Sequence, residues 1–417
     1  MKIPQKPLDF KTKFLNRTAL GDIKKNLFDR DILVITGARQ VGKTSIMHLL
    51  YRFLIKNKNI NLQNILFFDL EDIQALEAIE SYSFDEFAKY IMSQGSKNQT
   101  KFVFIDEIQY LQSPSSLLKI LHDHYPKIKL IVSGSSSLSL KQKFKDTLTG
   151  RKQVFVVNPL SFKEYCEFTQ TGSKAKRFDD FAVWGGYPEA VLINDPEKRA
   201  AKLREIHSSY IKKDIKDLMG IENVSGFNKL VDLLAHQIGN LINIDELANS
   251  SGLARDTVSK YLLILENTFV IQLVYPYFTN KRKEITKMPK VYFNDIGLRN
   301  TIVKSLNVLE QRADKGAIVE NVIFNELIKN KKPDQEIKFW RTQAKQEVDF
   351  ILESLEVMPI EVKYQSFKKV KIPLGIKSFI KNYNSKNAVI FTKNFKKVFN
   401  QNKTQFNFLP VHTISDF

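Results

Sequence analysis

Two rhythms alternate along the first third of this chain. Short, largely apolar runs at 32–35 (ILVI), 64–69 (NILFFD), 102–105 (FVFI), 129–133 (KLIVS) and 153–157 (QVFVV) read as strands, the first of them buried. Between them lie stretches with helical spacing, such as Ile46, Met47, Leu49 and Leu50, and the segment 84–92. The alternation predicts a parallel sheet with crossover helices, led in by a mixed, basic segment over 1–30. Beyond Pro159 the pattern turns helical over 161–168, 178–184 and 197–219, broken by Gly185-Gly186-Tyr187-Pro188, which predicts a helical lid.

Over 227–275 the pattern fits a winged helix-turn-helix. A short helix at 245–249 is followed by a turn (Ser250-Ser251-Gly252) and a longer helix at 255–266, with Val258, Leu262 and Leu265 on one face. A strand hairpin at 269–275 and a basic wing, Lys281-Arg282-Lys283, complete it. In a DNA reader Arg255, Thr257, Ser259 and Lys260 face bases or phosphates; packing or protein contact is the alternative use. The remainder reads as a helix at 317–330 and neighbouring strands at 347–352 and 359–363. These segments define a P-loop domain (1–160), a lid (161–226), a winged helix (227–283) and a C-terminal α/β domain (284–417).

The first strand runs into Gly37-Ala38-Arg39-Gln40-Val41-Gly42-Lys43-Thr44-Ser45, which fits G-x-x-x-x-G-K-[ST]. Strand before and helix after are the context that this motif needs. Glycines let backbone amides close around phosphates, and the helix N-terminus adds partial positive charge. ATP is the expected ligand, with Lys43 on its phosphates and Thr44 on Mg²⁺. Asp106 and Glu107 end the third strand, where open parallel sheets bind ligands. Asp106 is placed to hold Mg²⁺ and Glu107 to orient and deprotonate water. Ser133 or Ser135, in a hydroxyl-rich loop, is placed to sense the γ-phosphate. Arg151 is a candidate to neutralise transition-state charge, in cis or from a neighbouring molecule.

The last segment carries a second constellation. Glu320 shares a helix face with Gly316, Phe324 and Leu327, an odd place for a charge. Period-two alternation puts Glu361 and Lys363 on one strand face, next to the strand with Asp349. Glu320, Asp349 and Glu361 are candidates to hold a second divalent metal, with Lys363 stabilising charge at a phosphodiester.

Composition adds one inference. The chain has 417 residues, 64 Lys+Arg against 45 Asp+Glu, and a formal charge of +19. That favours an anionic partner, nucleic acid first and a membrane surface second, with a lysine-rich compositional bias as the alternative. Eleven of the lysines lie between Val362 and Ser415, a stretch with no acid. The single cysteine, Cys166, excludes an internal disulfide and fits a reducing cytoplasm. No leader-like apolar segment stands at the N-terminus, and no run is long enough to span a bilayer.

These motifs carry a resemblance. The chain resembles prokaryotic AAA-type (STAND-like) P-loop ATPases with a winged helix and a C-terminal domain of unknown function similar to the PD-(D/E)XK nuclease fold. The likeness rests on GARQVGKTS, FIDEIQ, SGSSS, TGR, NPLSFKEY, GGYPEA and YIKKDI, then on DTVSKYLLILENTFVI, PKVYFNDIGL, EVDF and PIEVK. Lys213 stands where that pattern has arginine, and lysine lacks arginine's bidentate fork. The resemblance implies nucleotide roles for Lys43, Thr44, Asp106 and Glu107, and nuclease-type positions at Glu320, Asp349, Glu361 and Lys363. The expected function is slow Mg-ATP hydrolysis as a conformational switch, on or near DNA. The alternatives are an ATP-regulated metal-dependent nuclease and a non-enzymatic switch that binds nucleic acid or protein.

Overall fold

The first rhythm becomes a five-stranded parallel sheet of order β2-β3-β4-β1-β5. Its strands are β1 (Ile32–Thr36), β2 (Ile65–Asp69), β3 (Lys101–Asp106), β4 (Ile128–Gly134) and β5 (Lys152–Val156). The structure is a computed structural model, and it describes residues 3–6, 14–96, 98–134, 148–209, 221–278 and 287–417. The chain divides into two compact units, Met1–Asn158 and Pro159–Phe417.

In the first unit β1, β3 and β4 are buried along their whole length, which is why they read as largely apolar runs. The helices are α1 (Thr18–Lys25), α2 (Lys43–Lys58), α3 (Ile73–Glu80), α4 (Phe84–Ser93) and α5 (Pro114–His124). Local chemistry sets their starts. Ser83 and Glu86 form a capping box for α4, and Pro114 opens α5, where a missing N–H costs nothing. Val34, Phe68, Val103 and Ile105 pack on one sheet face with Phe87 and Leu118. The alternate positions Phe67 and Phe104 point the other way and continue a stack with His48 and Phe14, at ring separations of 5.6, 5.1 and 5.4 Å.

The second unit begins with α6 (Phe162–Thr169), α7 (Lys174–Trp184), α8 (Pro188–Val191) and α9 (Pro196–His207). Then come α10 (Val224–His236), α11 (Ile244–Ser251) and α12 (Arg255–Asn267). The expected hairpin at 269–275 is replaced by a different pairing. Phe269 takes a left-handed conformation, and the Val270 amide still bonds the Leu265 carbonyl, so the strand begins only at Ile271. This strand, β6 (Ile271–Val274), pairs antiparallel with β7 (Lys290–Phe293). After β6 the chain is drawn away: Tyr277 N–H donates to the Phe339 carbonyl at 2.6 Å. The expected wing at 281–283 and Lys213 lie outside the described residues.

Beyond β7 follow α13 (Ile296–Ile302) and α14 (Lys315–Asn330). A mixed six-stranded sheet comes next, of order β12-β13-β11-β10-β9-β8. Its strands are β8 (Glu336–Arg341), β9 (Glu347–Glu353), β10 (Val357–Lys363), β11 (Asn387–Thr392), β12 (Lys397–Gln401) and β13 (Thr404–Pro410), with α15 (Leu374–Tyr383) between β10 and β11.

The most specific sequence motifs do structural work here. Asp295 caps α13 by accepting from Leu298 N–H at 2.9 Å and also accepts from Gly186 N–H at 2.7 Å. A Cβ on Gly185 would overlap the Asp295 carboxylate, and one on Gly297 would overlap the Trp184 carbonyl. The GGYP and NDIGL segments therefore approach backbone to backbone. Asn321 exchanges hydrogen bonds with both backbone groups of Phe293, at 2.9 and 2.7 Å, and ties α14 to β7. Gly297→Ala should destabilise the protein by about 1–3 kcal/mol or more through this overlap, measured by denaturant unfolding; Gly316→Ala, with open space around it, should not.

Candidate functional site

At the C-terminal ends of β1, β3 and β4 the chain assembles its first cluster of polar groups. The loop after β1 makes its turn through Gly37, Gln40 and Gly42, all at positive φ. A Cβ on Gly37 would overlap the Val157 carbonyl, so close backbone approach requires glycine there. Gly42 occupies the N-cap of α2 and leaves the first-turn amides without a side-chain cap. Lys43 is buried and folds back, donating to the carbonyls of Gly37 (3.3 Å) and Ala38 (3.0 Å), with Glu107 Oε1 at 3.7 Å. Thr44 Oγ1 donates to Asp106 Oδ2 at 2.7 Å. Ser45 follows on the first turn of α2.

Ser133 joins the two acids. Its hydroxyl donates to Asp106 Oδ1 and accepts from the Glu107 amide at 3.1 Å. Burial raises the Asp106 carboxyl, against the lowering by its Ser133 and Thr44 hydrogen bonds. Glu107 sits at φ 53°, a strained conformation for a residue with a side chain, and Gln109 holds its carboxylate. Arg39 turns away from the loop to Glu71 at 2.8 Å.

A second cluster forms where α14, β7, β9 and β10 meet. Asp349 and Glu361 face each other on antiparallel strands. Asp349 Oδ2 accepts from Val362 N–H at 2.8 Å, and Glu361 Oε2 from Asp349 N–H at 3.4 Å. Lys363 Nζ lies 2.6 Å from Glu361. Glu320 accepts from the Tyr292 hydroxyl at 2.6 Å and lies 3.3 Å from the Nζ of Lys290, which is 2.6 Å from Glu347. Burial and then the Asp349 charge push the Glu361 carboxyl up to about 8 and that of Glu320 up to about 7. Burial works against the charge on Lys290, but Glu320, Asp349 and Glu347 outweigh it and hold the proton on.

With this geometry in hand, similarity to known proteins is informative. Residues 29–166 match the family described as AAA domain. Over those residues the chain is similar to P-loop domains of the AAA type. Residues 175–310 and 315–414 match two domains of unknown function, DUF8612 and DUF4143. An uncharacterized protein of Methanocaldococcus jannaschii is 28% identical over 371 residues, 85% of this chain and 78% of that one. One from Haemophilus influenzae is 25% identical over 345 residues, 80% and 82% of the two chains. Among solved structures, a Walker-type ATPase of Pyrococcus abyssi matches at 15% identity with a TM-score of 0.47, covering 71% of this chain and 99% of that one.

The first unit brings together Gly37 to Ser45, Asp106, Glu107 and Ser133. It does not bring Arg151 to them. The Arg151 carbonyl accepts from the amide of Ile32, the first residue of β1, and its Nε donates to Asp123 at 2.8 Å. Arg151 therefore sits at the opposite edge of the sheet, a strand length of roughly 15 Å from the loop, and is held in an ion pair. Ser135 lies outside the described residues.

The second cluster assembles all four expected residues, Glu320, Asp349, Glu361 and Lys363, but not as a metal cage. Among the described residues no group of three or more His, Cys, Asp or Glu side chains is arranged to hold a metal ion. Lys290 and Lys363 supply the positive charge instead, and one Asp349 oxygen is turned to a backbone amide. As they stand, these residues do not fit a divalent metal.

Three residues escaped the sequence reading. Lys290 and Tyr292 lie in the motif PKVYFNDIGL, and a lysine within an apolar strand, two residues from a tyrosine, was the available signal. Arg17 gave none. It is buried, and its Nη1 and Nη2 donate to the carbonyls of Val41 (2.6 Å) and Asn158 (2.7 Å), bracing the P-loop from behind.

Lys290→Met should cost about 3–5 kcal/mol in urea unfolding, because it strands buried carboxylates; adding Glu320→Gln should recover part of that loss. The raised carboxyls set a pH dependence. Their stabilisation is full below the ordinary glutamate value of 4.5 and is lost as pH rises through about 7 to 8. Melting temperature in EDTA should fall over that range, and Glu361→Gln should flatten the fall.

Proposed function

We propose that the chain binds Mg-ATP at its P-loop and hydrolyses it slowly as a conformational switch. The supporting observation is the 2.7 Å bond between Thr44 Oγ1 and Asp106 Oδ2, a hydroxyl and a carboxylate converging beside a glycine-lined loop and a helix N-terminus. Those two oxygens would hold Mg²⁺, which would supply positive charge against the phosphates. The amides from Gly37 to Ser45 bind the phosphates. Lys43 exchanges the Gly37 and Ala38 carbonyls for β- and γ-phosphate oxygens. Glu107 orients the attacking water and takes its proton. Ser133, bonded to Asp106 and to the Glu107 amide, positions both acids. Lys43→Ala should abolish ATP binding in calorimetry, and unchanged affinity would refute the site. Glu107→Gln should still bind ATP but lose about 10²-fold or more in turnover.

A DNA-facing role for α11 and α12, as a winged helix-turn-helix, is the second part of the reading. Arg255, Ser259 and Lys260 are exposed and Thr257 partly so, while Val258, Tyr261, Leu262 and Leu265 are buried. The geometry favours binding over metal-dependent cleavage, because lysines already engage the carboxylates of the second cluster. If Arg255 and Lys260 touch phosphates, log Kd for duplex DNA should vary with log salt, and replacing both by alanine should reduce the slope by about 2. A salt-independent interaction, or none, would move the search to a protein partner.

A further inference from the structure

A cavity of about 430 Å³ lies within the second unit, among α6, α7, α9 and the segment after α8. Its walls are mixed, with more polar than apolar surface: Tyr165, Phe168 and Leu192 form an apolar part, and two arginines, Arg177 and Arg199, reach it along with Asp180. Nothing in the nucleotide site or in the lysine-neutralised cluster uses these residues.

Arg199 is the unusual group. It is only 9% exposed. Its Nε and Nη2 are buried without a hydrogen-bond partner, and so is Nε of Arg177. A buried guanidinium N–H left unsatisfied costs more than an ordinary missing hydrogen bond, so such groups in a folded protein call for a partner. Nε and Nη2 form one edge of the planar guanidinium, the edge that takes a carboxylate or phosphate through two parallel bonds. The rest of Arg199 is well held. Its guanidinium lies 5.1 Å from the Trp184 ring and 6.0 Å from that of Tyr165. Arg177 is fixed by an Nη1 bond to the Cys166 carbonyl at 2.9 Å. Asp180 is close enough to Arg199 for their charges to interact, and Tyr165 also hydrogen-bonds the Arg199 side chain, while Nε and Nη2 keep no partner.

We propose that this cavity is a binding site for a small organic anion, its carboxylate or phosphate head on the free edge of Arg199 and its apolar body against Tyr165, Phe168 and Leu192. The volume admits a compact ligand of that kind. The arginine pair supplies charge and planar recognition. The site is independent of the P-loop reading, since no residue is shared.

The test is calorimetry on the full-length Lys43→Ala protein, so that the P-loop does not take up the phosphate probe. Phenylacetate and phenyl phosphate serve as probes, and whichever binds more tightly identifies the head group. Binding with a Kd below about 1 mM is expected for at least one. Arg199→Lys should weaken it tenfold or more, because lysine keeps the charge but loses the two-pronged edge. Asp180→Asn should tighten it by removing the competing carboxylate. Absence of binding by either probe, or equal affinity in the Arg199→Lys protein, would overturn the proposal. The Asp180→Asn protein keeps the test decisive if Arg199→Lys folds poorly, because weaker or unchanged binding there would count equally against it.

Discussion

The hydrogen bond from the Thr44 hydroxyl to the Asp106 carboxylate joins the first turn of α2, which follows β1, to the end of β3. β4 lies between β1 and β3, and it contributes Ser133 to the same junction. Every feature of the first unit serves that convergence. Parallel strands in register bring Asp69, Asp106 and Ser133 to one edge. The glycine at 37 lets the loop press against Val157, and Arg17 fixes the loop's outer side at Val41. The strained backbone at Glu107 is what remains after these constraints are met, and it aims a carboxylate toward Lys43.

The chain handles buried positive charge in contrasting ways. Lys101 is fully buried and donates to Asn64 Oδ1 and the Ser96 carbonyl, both at 2.7 Å. Lys129 donates to the carbonyls of Asn26, Asp29 and Asp31, and burial brings its ammonium down to about 8. Neutral carbonyls solvate these lysines without fully replacing water. Lys290, equally buried, is moved the other way by its surrounding carboxylates. Part of the excess of basic residues is thus spent inside the protein, which weakens the step from a formal +19 to an anionic partner. Arg199 differs from all three, since two of its N–H groups have neither carbonyl nor carboxylate.

The two units also differ in how their polar motifs are used. In the first, polar residues at strand ends point into a site. In the second, the most recognisable motifs lock backbone to backbone: Asp295 under the Gly185-Gly186 turn, and Asn300 on the Ala182 and Val183 carbonyls at 3.2 and 2.9 Å. A specific motif can therefore mark a close approach of chain segments as readily as a reaction centre.

Sequence by itself determined the elements and the nucleotide-site cluster. Apolar runs located the five strands of the first sheet, and the glycine-lysine-threonine spacing with the acid pair located the loop and its partners. Those features are local: periodicity and turn chemistry act over a few residues, so they can be read in order along the chain. Partnership across distance was decided only by the tertiary structure. It held Arg151 at the far end of the sheet, on Asp123 and the Ile32 amide. It paired β6 with β7 in place of a local hairpin. It also brought Lys290 to Glu320, thirty positions away, and turned an expected metal cage into an ion-paired cluster. Charge neutralisation depends on which side chains face one another after folding, and no spacing along the chain records that.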